Sequence, residues 1–193
     1  MTAIYTIGHS RHSQDEFVNL LRSHQVTALA DVRSHPHSKF MPHFCKDELR
    51  SLLATNGIRY VFLGDSLGAR PADQRCYIEG KASYELIART PAFAEGISRL
   101  MAGREKYRIA LMCAERDPID CHRAILVAHA LEKAGATVWH IHSDGSTESH
   151  ENLQERLLNT LGLNTDMFQD GRNNLDKAFK LRGEQIAFEP EDD

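Results

Sequence analysis

The chain has 193 residues, 41% of them hydrophobic, and 23 Lys and Arg against 27 Asp and Glu give a formal net charge of -4. That length supports one sizeable core, no apolar run approaches membrane-spanning length, and the acidic balance argues against strong generic affinity for nucleic acid while leaving room for a local basic patch. Four cysteines and 11 histidines, with no basic-then-apolar segment at the start, set the expectation of a cytoplasmic protein with reduced thiols rather than a disulfide framework.

Ala3 to Ile7 reads as a first strand ending in Gly8-His9-Ser10. Ser13, with Glu16 three residues on, has capping-box spacing, and Phe17, Leu20 and Leu21 form the inner face of the helix that follows. Val26 to Val32 is a second strand ending in Asp31-Val-Arg33, and a polar, irregular loop runs from Ser34 to Phe44. A helix from Asp47 to Thr55 stops at Asn56-Gly57. Ile58 to Leu63 is a third strand, leading into Gly64-Asp-Ser-Leu-Gly68 and a long loop through Arg70, Pro71, Arg75 and Tyr77. Helical pieces are expected near Ala82 to Ala88 and from Pro91 to Ala102, with Pro91 well placed at a helix start.

Tyr107 to Met112 is short, apolar and bounded by polar residues, as a buried strand is. It ends on Cys113 and a polar turn with Glu115 and Arg116. Pro118 breaks the chain there, Asp120 is a good N-cap, and Cys121, His122 and Arg123 are expected in the first turn of a helix through Leu131, with Gly135 as its C-terminal cap. Thr137 to Ile141 is a fifth strand ending in His142-Ser-Asp-Gly145, and Glu148 to Leu161 has helical spacing. Beyond Gly162 the sequence is polar and weakly periodic, and Glu189 to Asp193 reads as an acidic disordered end.

This alternation predicts an α/β fold: an open, mainly parallel five-stranded sheet flanked by helices, in a Rossmann-like three-layer architecture. Residues 1–162 form the expected domain and 163–193 a C-terminal extension. The polar groups after each strand share one sheet edge, where ligands bind in open parallel sheets. Segments remote in sequence therefore converge on one crevice.

The motifs Thr6-Ile-Gly-His9-Ser10, Asp31-Val-Arg33 with Pro36, and Tyr60-Val-Phe-Leu-Gly64 with Leu67-Gly68 resemble those of the domain-of-unknown-function 488 family. Leu111-Met-Cys-Ala-Glu115, Cys121-His-Arg123 and His140-Ile-His-Ser-Asp-Gly145 are similar too, so the resemblance runs from Ile4 to Gly145. It implies a compact cytoplasmic α/β domain with its motif residues around one pocket, and it supplies no substrate.

The densest chemistry lies between Cys113 and Arg123. A helix amino end and neighbouring arginines favour thiolate over thiol, and free backbone N–H groups suit an anion. Cys113, Glu115, Cys121, His122 and His9 are the expected catalytic groups, a thiol nucleophile with acid–base partners. Gly8, Ser10, Asp31, Arg33, Gly64, Gly68, Arg116, Arg123 and Asp144 are the expected substrate contacts. A transferase or hydrolase acting on a small-molecule or nucleic-acid substrate with phosphate follows from that set. Packed structural cysteines beside an ion-paired turn would be the bland account.

Three alternatives stand beside it. Zinc or iron at Cys113, Cys121 and His122 suits soft thiolate plus imidazole, although adjacent Cys121 and His122 are expected to diverge from a helix. Phe40, Phe44 and Tyr77 among loop charges would suit a nucleotide or nucleic-acid module without catalysis. A strand–Cys–loop–helix layout is also similar to rhodanese-type sulfur transferases and cysteine phosphatases, but Ile119 stands where the phosphatase pattern wants Arg. The histidines at 35, 37 and 43 match no well-formed zinc spacing.

Overall fold

The computed structural model describes residues 2–163 and 171–190. In chain order the elements are β1 (Ile4–Gly8), α1 (Gln14–Ser23), β2 (Ala28–Asp31), α2 (Lys46–Thr55), β3 (Arg59–Phe62), α3 (Gly64–Leu67), β4 (Tyr77–Ile78), β5 (Lys81–Ala82), α4 (Tyr84–Ala88) and α5 (Pro91–Gly103). Then come β6 (Ile109–Cys113), a π-helical turn (Arg123–Ala128) running into α6 (His129–Lys133), β7 (Val138–Ile141), β8 (Thr147–Ser149), α7 (His150–Thr160) and α8 (Gly171–Ile186). Among the described residues no helix is long and apolar enough to cross a membrane.

The main sheet runs β3-β2-β6-β1-β7-β8. The five strands expected from the sequence are all present and mutually parallel. The sixth, β8, was expected as the start of a helix; it folds back antiparallel on β7. The turn responsible is local: Asp144 accepts from the Ser146 backbone at 2.9 Å and Gly145 takes φ +86°, which reverses the chain shortly before Ser149 caps α7. A second departure is the small β4–β5 hairpin, whose tip residues Glu79 and Gly80 both take positive φ.

β6 pairs on both sides, with β1 and β2, so all five of its side chains are buried. Alternation sends Ile109, Leu111 and Cys113 to one face, where they join Phe93 and Leu100 of α5 and Leu131 of α6. Ala110 and Met112 point to the other, against Phe17 and Leu21 of α1 and Leu49 and Leu53 of α2. Two cores on opposite faces make three layers. A smaller cluster joins Ile119 and Ile125 to Leu157 of α7 and to Ala178 and Phe179 of α8. The extension expected after Gly162 thus contributes a packed helix; of its acidic end, residues 191–193 lie outside the described residues.

Candidate functional site

The carboxyl ends of β1 and β6 are neighbours, with Gly8 in register with Cys113. After that pair the two loops run together: His9 donates its backbone N–H to the Cys113 carbonyl at 2.8 Å, and Ser10 donates to Ala114 at 3.0 Å. Such contact leaves no room for a side chain at Gly8, where a Cβ would sit 1.9 Å from the Glu115 carbonyl oxygen. Ser10 takes φ 47°, turning the chain away immediately after His9. From β2, one strand further along, the loop brings in Arg33 and the segment beyond it.

These loops enclose a cavity of about 330 Å³ lined by His9, Arg33, Cys113, Glu115, Cys121 and His122. That is the lower end of the range for ligand pockets, sized for a small molecule or the terminal group of a larger one. All five residues expected to do chemistry, and Arg33 of the expected substrate contacts, line this one cavity.

The route by which Cys121 and His122 reach it differs from the expectation. Asp117 caps a 3-10 turn over Pro118–Asp120, so Asp120 is inside that turn instead of capping a helix. Cys121 follows in extended backbone (φ -137°, ψ 138°), and helical geometry begins only at His122. Because the two residues lie on different backbone, their side chains converge. Cys121 Sγ is 3.9 Å and Cys113 Sγ 3.6 Å from His122 Nδ1. The other ring nitrogen, Nε2, donates to the Val32 carbonyl at 3.0 Å, which fixes the ring with Nδ1 toward the sulfurs.

Charge is distributed unevenly over this group. Its hydrogen bond with Cys121, together with burial, holds the Cys113 thiol well above its ordinary pKa. Burial opposes charge on Cys121 too, but the Cys113 hydrogen bond, the Arg123 guanidinium and His122 outweigh it and hold this thiol well below the ordinary value. The Arg123 backbone N–H also points at Cys121 Sγ, at 3.4 Å. His122 is raised: burial works against its proton, and the sulfur of Cys121 more than compensates. Burial and then the charge of Cys121 raise Glu115, whose Oε2 lies 2.9 Å from Cys121 Sγ. A depressed thiol beside a raised carboxyl, 2.9 Å apart, puts a proton donor and a proton acceptor within hydrogen-bond reach of each other.

Arg33, which also lines the cavity, is buried and held by Asp31, with Nε donating to Oδ1 at 2.9 Å and Nη2 to Oδ2 at 2.7 Å. Tyr60 also donates to Asp31, at 2.8 Å. Nη2 further reaches the Phe44 carbonyl, while Nη1 makes no hydrogen bond among the described residues. Burial disfavours the guanidinium charge, and the Asp31 hydrogen bonds overcome this and raise its pKa. His9 stacks on Phe44 with ring centroids 4.4 Å apart, and burial, reinforced by Arg33, lowers its pKa to about 4. At neutral pH it is an uncharged imidazole.

Other expected contacts lie behind or beside the cavity. Arg123 is fully buried, and its guanidinium donates to the Glu115 and Arg116 carbonyls at 2.8 and 3.1 Å; it braces the loop. Gly64 and Gly68 press against the Arg33 carbonyl and the Ser34 side chain, supporting the β2 loop from below. Arg116 donates to Ser143 and Asp144 caps its own turn, and neither lines the cavity. Conversely, Arg70, His35 and His37 line it, and none of the three was among the expected contacts. Tyr84 of α4 and Ile186 and Phe188 at the end of α8 close the cavity and were missed. The one signal for the last pair was apolar Ile186-Ala-Phe188 within a polar tail.

Cys113 Sγ, Cys121 Sγ and His122 Nδ1 all lie within 4.8 Å of one another and could together hold a metal ion. A family model described as a domain of unknown function, DUF488, matches residues 13–130. No curated protein and no solved structure matches the chain.

Proposed function

Since the chain belongs to the DUF488 family, whose description assigns no reaction, we propose its function from the cavity itself: an enzyme of the transferase or hydrolase kind that takes a small phosphate-bearing molecule, a nucleotide or a nucleic-acid end, and attacks it with the Cys121 thiolate. The observation that carries this reading is a depressed thiol, an imidazole and a raised carboxyl lining one cavity together with the buried guanidinium of Arg33. The Rossmann-like layering supports a nucleotide, since such sheets bind them at this edge.

In this reading Arg33, with Arg70 at the rim, neutralises the phosphate. Cys121 Sγ forms a bond to an electrophilic centre, the bond to the leaving group breaks, and the proton held by Glu115 departs with that group. A second nucleophile, water or an acceptor hydroxyl, then gives its proton to the Glu115 carboxylate and releases the sulfur, which restores the starting state. His122, tied to Val32, stabilises the thiolate in between.

One observation favours a second reading. Bonds of about 2.3 Å to sulfur and about 2.1 Å to nitrogen at a tetrahedral zinc place such atoms about 3.6 Å apart, and His122 Nδ1 stands 3.6 and 3.9 Å from the two sulfurs. A ring whose other nitrogen donates to a backbone carbonyl is also the usual support for a metal ligand. Here a metal-bound group would replace the free thiolate.

Calorimetric titration with pyrophosphate and with adenosine monophosphate, beside elemental analysis of the purified chain, separates these. The thiol reading expects saturable binding that Arg33→Lys weakens about tenfold or more and Cys121→Ser retains, with only trace metal. Stoichiometric zinc or iron lost in Cys121→Ser selects the metal reading. Binding of duplex DNA in place of either small anion, falling steeply with salt, would overturn both.

A further inference from the structure

Away from that cavity, α6 and the start of α7 bring together a second group of metal-ligating side chains. His129 and Glu132 are three residues apart, which puts them on one face of α6. His150 is the first residue of α7, set by the Ser149 cap. His129, Glu132 and His150 each offer a ligand atom, and all three atoms lie within 4.8 Å of one another. His150 is 2% exposed. Its Nε2 and the Nδ1 of His129 are buried yet hydrogen-bond to nothing among the described residues; Glu132 Oε2, at 3.9 Å from His150 Nε2, is too distant. Two orphaned imidazole nitrogens, on rings grouped with one carboxylate, are costly unless something completes them.

The rings are also held from behind. His150 Nδ1 meets His140 Nε2 at 3.0 Å, and His140 Nδ1 meets Thr6 Oγ1 at 2.8 Å, deep in the sheet. If each ring donates from Nδ1, every nitrogen in this relay except His150 Nε2 is satisfied, and that atom presents a lone pair. Phe179 of α8 stacks on His129 at 3.7 Å, walling off one side, and Gln154 donates to Glu132. A groove lined in part by His129, Lys133, Asp176 and Phe179 opens beside the group, giving an ion a way in.

We propose that His129 Nδ1, His150 Nε2 and Glu132 bind a divalent transition-metal ion, zinc by preference, that pins α6 to α7. Two neutral imidazoles and one carboxylate suit zinc, with bonds of about 2.0–2.2 Å, so the group contracts slightly on binding. The Thr6–His140–His150 relay serves as the outer support that such ligands ordinarily have. This site shares no residue with the thiol cavity and does not depend on how that cavity is read.

Zinc chloride titrated into the chelator-treated full chain carrying Cys113→Ser and Cys121→Ser tests it, with heat and melting temperature as readouts. One equivalent is expected to bind and to raise the melting temperature, and adding Glu132→Gln, at the half-exposed edge where folding is not at stake, weakens binding about tenfold or more. Absent binding, or binding that Glu132→Gln leaves unchanged, overturns the proposal. If the double cysteine variant fails to fold, cobalt(II) on the native chain serves instead. Nitrogen and oxygen coordination is expected to give visible bands that vanish in Glu132→Gln, whereas a spectrum made only of thiolate charge-transfer bands is the contrary result.

Discussion

At the scale of single residues, the site depends on two side chains that are small or uncharged. Gly8 lets β1 lie against the loop after β6, and a Cβ there would sit 1.9 Å from the Glu115 carbonyl oxygen. Backbone cannot rotate away as a flexible side chain can, so Gly8→Ala should cost about 2–3 kcal/mol, measurable as a lower urea midpoint, and should displace Glu115. His9 makes the second case. Its pKa falls from 6.5 to about 4 through burial, with Arg33 adding to the effect. Between those two values the unfolded chain binds a proton that folded His9 refuses, so stability is full above pH 6.5 and is lost as the pH falls toward 4. The slope is about 1.4 kcal/mol per pH unit, or about 3 kcal/mol across the window. His9→Phe, which keeps the stack on Phe44, should lose correspondingly less between pH 7 and pH 4.5 in urea unfolding; an equal loss in both proteins would contradict it. Both residues were legible in the sequence as important, Gly8 for a ligand and His9 for catalysis, because a strand end marks them. That Gly8 serves backbone packing was not legible, since the partner lies more than a hundred residues away.

Among the elements, strands and amphipathic helices were the readable part. The capping box of α1 is present as its spacing implied, and the apolar run of β6 is buried on both faces as such runs are. Two of the departures share a cause: an element without contrast between faces leaves no periodic trace. All six residues of the π-helical turn are buried, so no 3.6-residue pattern distinguishes it from an ordinary helix. α8 errs the other way, being mostly polar, with Ala178 and Phe179 doing much of its packing. Besides lining the cavity with Ile186, it reaches the site through Arg182, which donates to the Ile119 carbonyl at 3.2 Å and to Asp120, immediately before Cys121. Arg182→Ala should cost only about 1 kcal/mol, since the pair is partly exposed, yet should loosen the turn that presents Cys121. Faster alkylation of Cys121 at a nearly unchanged melting temperature is the expected outcome, and unchanged reactivity would show that α8 is a bystander.

Over the whole molecule, the sheet order does the assembling. Placing β6 between β1 and β2 brings three loop sets to one rim, so groups from His9, Arg33 and the Cys113–His122 stretch share a cavity. The rim was foreseeable from strand–helix alternation alone; the strand order was not, because nothing local says that the fourth parallel strand inserts between the first two. The net charge is -4, and Arg33 and Arg70 line the cavity beside Glu115 and Asp120, a local arrangement that suits a small anion more than a long polyanion. The central claim, that Cys121 is an activated thiol facing an anion site, is tested most directly by iodoacetamide alkylation at neutral pH, resolved by mass spectrometry for Cys121 and Cys113 with and without pyrophosphate. Cys121 should react about tenfold faster than Cys113 or more, because a depressed pKa leaves more thiolate, and pyrophosphate should slow it. Equal, slow labelling of the two, indifferent to pyrophosphate, would contradict the account.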